Sequence, residues 1–477
     1  MYDIAALDRY LTQLFQKKGY PSVTVALRGP DGILFEKGYG YTDFDRTHPA
    51  DPDTIYGIAS MSKSMTTLAC AILQAEGKLD FSDPVTKYFP QFRIPGTPAQ
   101  AVTLRHLAMH TSGIPPIPPL EWSIAMNTQE RDSEELRQLR ASAPNQMDTI
   151  EDIIAYIGES GAYEPLGAPG EYMCYSNDAY AILSYVVDQA AGQSLEDFLQ
   201  ERVFGPLGMT RTVLDLDGSQ AEAMSGGNIA ELFGTDEDGQ LYADKTWSVL
   251  PPYRGCACVK STARDMTRYY LCLAQEGRFE GKQVIPAEAV EILIGKEFPE
   301  TNRPFYCFGL NKRSRAGRTI CEHSGGLHGV STHGAFIRET PEACGWSMVS
   351  LCNQGEVSAE PFDWAMLNLI LEQPLEEKHY WAIPSGNSFQ NPEMLVGTYL
   401  SREANPAYCI VTADEDGLHA EYYNNPLELH YCQGTVFSAR SKKTPDEQST
   451  TMEFLIRKGE AWGVRCYTRI FQRIEKN

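Results

Sequence analysis

The chain has 477 residues, 42% of them apolar, and carries 41 basic against 63 acidic side chains, a net charge of −22. Such an apolar share is that of an ordinary globular protein, so disordered and fibrous classes are excluded, and the length allows one large domain or two to three average ones. The acidic surplus repels phosphate backbones and anionic lipid headgroups, which argues against nucleic acid and membrane surfaces as partners.

No stretch approaches the roughly 20 apolar residues of a membrane-spanning helix. Residues Met1 to Lys18 carry Asp3, Asp8, Arg9, Gln13 and Lys17, so they lack the unbroken apolar core of a secretory signal, and a cytoplasmic address is expected. The 12 cysteines are scattered from Cys70 to Cys466 without any Cys-x-x-Cys. They read as reduced core thiols rather than disulfides or zinc ligands, which suits that address.

Apolar residues at helical spacing (Ile4, Leu7, Leu11, Leu14, Phe15) predict a helix from Ile4 to about Lys18, stopped by Gly19. Ser22 to Leu27 and Ile33 to Tyr41 are strand-like runs joined by Pro30-Asp31-Gly32, a turn sequence, and predict a hairpin. Helical patterns follow at 60–76, 104–109, 148–158, 177–191 and 194–203. Strand character returns at Thr319–His323, His333–Ile337 and Trp346–Cys352, before an apolar helix at Pro361–Glu372. Strands at both ends with helices between them imply one α/β (α+β) domain over residues 1–375, whose antiparallel sheet is assembled from distant parts of the chain.

The segment from Gln373 to about Pro392, with Ile383-Pro384-Ser385-Gly386-Asn387 at its centre, reads as a linker. Beyond it, Met452-Phe454-Ile456 and Trp462-Val464-Cys466 alternate with polar neighbours, and Asp414-Glu415-Asp416-Gly417 and Lys458-Gly459-Glu460 are turn sequences. Residues 390–477 are therefore expected to form a small all-β, barrel-like domain.

Three short elements carry candidate chemistry. Ser60-Met61-Ser62-Lys63 stands where a helix begins, so one turn brings the Lys63 amine to the Ser60 hydroxyl, and free helix N–H groups can stabilise an oxyanion. A chain of this length holds about one Ser-x-x-Lys by chance, so its position at a helix start matters more than its letters. Tyr175-Ser176-Asn177 leads into the 177–191 helix; a tyrosine beside a lysine can relay protons and an asparagine amide can bind a carbonyl, although Asn177 could equally be an N-cap. Glu322-His323-Ser324-Gly325-Gly326 closes a strand, where glycines admit a ligand close to the backbone.

In order and spacing these elements resemble the penicillin-recognising serine hydrolases, the superfamily of serine β-lactamases, DD-peptidases, D-aminopeptidases and family VIII carboxylesterases. Ser60-Met61-Ser62-Lys63 is similar to its Ser-x-x-Lys, Tyr175-Ser176-Asn177 to its Tyr-x-Asn, and His323-Ser324-Gly325 to the His-x-Gly form of its Lys-Thr-Gly motif. Leu107-Ala108-Met109-His110-Thr111-Ser112-Gly113, Phe204-Gly205-Pro206-Leu207-Gly208-Met209 and Ser261-Thr262-Ala263-Arg264-Asp265-Met266 are further family-like phrases, and the likeness covers roughly residues 5–372.

The resemblance implies a β-lactamase/transpeptidase-like fold in which Ser60 attacks a carbonyl and Lys63 and Tyr175 share the base and acid roles. Asn177, His323, Gly325 and Gly326 would bind substrate, with the oxyanion hole formed by the Ser60 and Gly326 N–H groups. No cofactor or metal is implied, and the oligomeric state is left open. Histidine at 323 in place of lysine removes a permanent cation that would hold a penicillin carboxylate, which favours a D-aminopeptidase-like amide or peptide hydrolase acting on small substrates. A carboxylesterase using the same residues is the alternative, and a catalytically silent acyl-binding sensor or scaffold is a third reading. All of Ser60, Lys63, Tyr175 and Asn177 are present, which leaves silence without support.

Residues Pro115 to about Asp148, proline-rich and then charged, depart from the family pattern and are expected to wall part of the pocket. His106 and His110 have the four-residue spacing of a zinc pair, but Leu107 stands where a metalloprotease needs Glu, so packed or capping histidines are expected.

Overall fold

The computed structural model describes residues 2–128, 133–236, 238–299, 305–338, 345–355, 357–379, 382–403, 407–443 and 450–474. Positions 129–132 of the Pro115–Asp148 stretch, 380–381 of the expected linker, Met1 of the first expected domain and 475–477 of the second lie outside the described residues.

A seven-stranded antiparallel sheet forms the frame of the larger part. Its strands are β1 (Ser22–Gly29), β2 (Gly32–Gly40), β3 (Phe305–Tyr306), β4 (Asn311–Arg315), β5 (Arg318–Leu327), β6 (Val330–Arg338) and β7 (Trp346–Cys352), in the spatial order β3-β4-β5-β6-β7-β1-β2. The join between distant segments is the β1–β7 pair, in register from Val23 opposite Cys352 to Arg28 opposite Ser347.

Alternation sorts the side chains to the two faces. Val23, Val25, Leu27, Ile337 and Met348 pack under the Ile4–Lys18 and Glu360–Ile370 helices. Ala26, Cys321, Phe336, Val349 and Leu351 face the large core that also holds the Ser62–Ala75, Asn177–Ala191 and Ala263–Ala274 helices. Because both faces are covered, β1 and β6 are buried along nearly their whole length. The helix of 15 residues from Ile4 to Lys18 is capped by Asp3, which accepts the Ala6 N–H, and ends at Gly19 in the left-handed conformation.

Strand β4 was not legible as a strand, because its sequence Asn-Lys-Arg-Ser-Arg has no apolar alternation. Two of its charges are instead buried and satisfied: the Lys312 amine donates to the Gly295 and Phe298 carbonyls, and Arg313 makes a bidentate pair with Glu322 at 2.8 and 3.0 Å. Arg313 also donates to Nδ1 of His379, whose Nε2 donates to Asn368 and whose ring stacks on Trp364. Thus the first part of the expected linker is clasped down by a buried polar network.

Eight strands between Gly397 and Arg473 form a closed barrel, sealed by pairing of the Gly397–Ser401 strand with the last strand, Arg469–Arg473. Tyr399, Phe437, Phe454 and Phe471 fill its interior, as expected for a barrel too narrow to hold a channel. The eleven described cysteines are all buried, and none is joined in a disulfide to another described residue; Cys344 lies outside the described residues. Among the described residues no helix is long and apolar enough to cross a membrane.

Glu322 precedes His323 on β5, so the Arg313 clamp also fixes the strand that borders the site. We expect Glu322→Gln, which leaves the guanidinium without its counter-charge, to lower unfolding free energy by about 3–5 kcal/mol in urea denaturation. A change below about 1 kcal/mol would mean that the pair contributes little.

Candidate active site

Ser60 sits one step ahead of the expected helix. Ala59–Met61 is a 3₁₀ turn and the helix proper begins at Ser62, so the hydroxyl is carried on the turn that feeds the helix. Ala59 is held at φ +45°, an unfavourable angle for a residue with a Cβ, and the Ile58 N–H is tied to the Val259 carbonyl at 3.0 Å. One turn on, Lys63 has no exposed surface. Its amine donates to the Ser60 hydroxyl oxygen at 3.1 Å and to the Cys256 carbonyl at 3.1 Å, and lies over the rings of Tyr175 and Tyr180 at 4.8 and 5.6 Å.

Strand β5 borders this turn. The His323-Ser324-Gly325-Gly326 run lies inside the strand rather than at its end, because pairing with β6 continues to Leu327 opposite Val330. Pairing with β4 stops at Glu322, so among the described residues the edge from His323 onward carries no strand and faces Ser60. A Cβ added to Gly325 would overlap the Ile58 carbonyl oxygen and the Thr332 hydroxyl. Glycine is thus required for β5 to lie against the turn, and Thr332 pins the approach by donating to the Ile58 carbonyl at 3.1 Å. Gly326 meets nothing within 4 Å and lines the open cavity with Ser60, Tyr175 and Asn177.

The Tyr175 loop is splinted by His110. The His110 carbonyl accepts the Cys174 N–H at 2.8 Å, its Nδ1 accepts the Ser176 N–H at 3.1 Å, and its ring packs on Tyr175 with centroids 4.2 Å apart. To do this His110 adopts φ +58°, beyond the end of the Leu104–Ala108 helix that His106 caps. The two histidines therefore do not share a helix face, and His110 positions the tyrosine. Its family-like phrase was a signal, but not of this role. Ser176, not Asn177, caps the following helix by accepting the Ala179 N–H, which frees the Asn177 amide to line the cavity.

His323 departs from expectation. Its ring is 4% exposed and lies behind Tyr175, with Nε2 bonded to the Tyr306 hydroxyl at 3.2 Å and Nδ1 to the Ser324 carbonyl. It supports the tyrosine wall rather than reaching for substrate, because β5 alternation turns it into the core that holds Tyr306. Burial, reinforced by the Lys63 charge, pushes its pKa down to about 3 and that of His110 well below the ordinary value, so both rings are neutral.

The barrel supplies the far wall, a contribution no motif announced. The Tyr175 N–H donates to the Thr468 carbonyl at 2.8 Å, and the Arg469 guanidinium covers the Tyr175 ring at 4.4 Å. Glu403 holds Arg469 by paired hydrogen bonds of 2.9–3.1 Å. The cavity between these elements has a volume of about 650 Å³. The expected wall from the Pro115–Asp148 stretch is there too: Leu120, Glu121 and Ile124 on the Pro119–Asn127 helix, with Glu135 beyond. Glu121 is half-buried, and among the described residues its Oε2 is buried without a hydrogen-bond partner.

Residues 7–371 match the Beta-lactamase family, and the chain belongs to that family of serine hydrolases. It is 28% identical over 335 residues, 68% of each chain, to "Penicillin-binding protein 4*" of Bacillus subtilis strain 168. The octameric penicillin-binding protein homologue from Pyrococcus abyssi superposes with a TM-score of 0.66 at 20% identity, covering 98% of this chain and all of that one. The D-amino acid amidase from Ochrobactrum anthropi SV3, in complex with D-phenylalanine, gives a TM-score of 0.57 at 21% identity over 77% of this chain and 98% of its own. These two likenesses are of fold.

Gly325→Ala should separate β5 from the Ser60 turn and cost about a hundredfold in kcat/KM, whereas Gly326→Ala, sterically free, should cost less than about tenfold. Equal losses would mean that the close approach does not set the geometry. A ring held neutral in the folded state but free to take a proton when unfolded makes stability fall with pH below about 6.5. For His323 that fall continues to about pH 3, where the folded ring itself titrates. We therefore expect the stability advantage of the wild type over His323→Gln to shrink by up to about 1.4 kcal/mol per pH unit as pH drops from about 6.5 to 5. An advantage constant over that range in urea denaturation would mean that the folded ring is charged.

Proposed function

We propose that the protein is a serine amidohydrolase that cleaves small aminoacyl amides or short peptides, with D-configured acyl residues preferred. The observation that carries this reading is the 3.1 Å contact between the Lys63 amine and the Ser60 hydroxyl, at the floor of a walled cavity. In its neutral form Lys63, with Tyr175 as partner, takes the Ser60 proton as the oxygen attacks the carbonyl carbon. The Ser60 and Gly326 N–H groups receive the oxyanion, each such donor being worth about 3 kcal/mol. The same pair returns the proton to the leaving amine, and water then releases the acyl group from Ser60.

Preference for an amine-bearing substrate rests on charge. Glu121, Glu135, Glu403 and Glu421 line the cavity, while its arginine, Arg469, is already held by Glu403. That balance disfavours the carboxylate of a penicillin and suits an ammonium. Burial, and then the Glu403 charge, push the Glu121 carboxyl well above the ordinary carboxylate range. An incoming ammonium would take up this unpartnered oxygen and release its proton. The D preference is carried by the similarity to the D-amino acid amidase fold. A cytoplasmic site of action accords with the burial of the eleven described cysteines.

The test is kcat/KM for D- and L-aminoacyl p-nitroanilides beside short-chain p-nitrophenyl esters. We expect the D-aminoacyl amides to be fastest and Ser60→Ala to lose at least about 10⁴-fold in kcat with the fold intact. Turnover of esters alone would replace this reading with a carboxylesterase. Glu121→Gln should raise KM for aminoacyl amides about tenfold or more and leave the acyl amides that lack the amino group unmoved. An equal effect on both would remove the ammonium role.

A further inference from the structure

The outer surface of a barrel strand should be polar where it meets water, and one strand here breaks that rule. On the Ala407–Asp414 strand, Ala407, Cys409 and Val411 point into the barrel, and the outward positions between them are Tyr408 and Ile410. They are 47% and 40% exposed, and both line the cavity that contains Ser60. Next along the same wall stands Tyr423, 57% exposed. It occupies, with Asn424, the two-residue turn between strands paired at Tyr422 and Asn425, and both turn residues have positive φ, +48° and +57°.

Such turns favour Asn-Gly, and a bulky aromatic at positive φ is strained. Glycine there would remove that strain and also the ring. Three apolar side chains are thus left uncovered on one strip, one of them at a strained position, and the strip faces Leu120 and Ile124 across the cavity.

We infer that this strip of the barrel is the subsite that reads the acyl residue of the substrate, accepting a large aromatic or branched aliphatic side chain between Tyr408, Ile410 and Tyr423 on one side and Leu120 and Ile124 on the other. The inference rests on the reading that an aminoacyl substrate is bound through Glu121. Leu120 and Ile124 flank Glu121 on one helix. The ammonium and the side chain of an aminoacyl group leave the same carbon, so an ammonium at Glu121 brings the side chain within a few ångströms of this apolar wall. The barrel is then a specificity element of the enzyme.

The experiment compares phenylalanyl with alanyl p-nitroanilide, both in the preferred configuration, on the wild type, Tyr408→Ser and Ile410→Asp. Both substituted positions are exposed on the barrel, and a thermal melt checks that each variant is folded. The wild type should favour the phenylalanyl substrate at least about tenfold in kcat/KM, and each variant should reduce that ratio about tenfold. No wild-type preference, or a ratio unchanged in both variants, overturns the subsite while leaving the amidase reading standing. Calorimetry on Ser60→Ala with 2-phenylethylamine and ethylamine reads the subsite without turnover. Tighter binding of the aromatic amine, lost with Ile410→Asp added, supports it even if no aminoacyl amide is hydrolysed; equal binding of the two amines overturns it.

Discussion

A lysine side chain with no exposed surface is the constraint round which the site is built. An amine taken out of water must find acceptors in the protein, and Lys63 finds the Ser60 hydroxyl and the Cys256 carbonyl, with two tyrosine faces over it. Those partners come from a helix turn, a short helix near residue 256 and the loop that carries Tyr175. Satisfying one nitrogen therefore brings three separate segments together, and the nucleophile is one of the acceptors.

Holding that arrangement falls to groups other than the nucleophile and its lysine. Gly325 lets β5 close on the Ile58–Ser60 turn, and Thr332 pins it there. His110 uses a strained backbone and a neutral ring to fix both sides of Tyr175. On the opposite side of the tyrosine, the barrel grips its N–H through Thr468 and covers its ring with Arg469. Neutral imidazoles suit this work because a second charge beside Lys63 would be repelled; His323 and His110 are both pushed down by burial and by that neighbour.

Much of the frame was legible in the chain. The N-terminal helix and hairpin, strands β5 to β7 and the helix at 177–191 follow from apolar spacing and from caps and turns at their ends. Strand β4 was not, because buried Lys312 and Arg313 are stabilised by carbonyls and a carboxylate that lie elsewhere in the sequence. The helices Pro119–Asn127 and Glu134–Ser142 inside the Pro115–Asp148 stretch were missed as well; the first is apolar on several sides, as suits a helix wedged between the core and the cavity.

By itself the sequence determined which residues could do chemistry: the one-turn spacing of Ser60 and Lys63, the Tyr175–Asn177 pair and the glycines after His323 are local patterns, and local patterns survive translation into structure. Only the tertiary structure decided what each of them faces. His323 lies behind Tyr175 rather than beside the substrate, because strand alternation and its neighbour Tyr306 turn it inward. Glu121, Arg469 and the apolar strip at Tyr408 and Ile410 join one cavity from segments as many as about 350 residues apart. No spacing rule reaches across that separation, since the closure of the barrel against the Tyr175 loop is what brings them together.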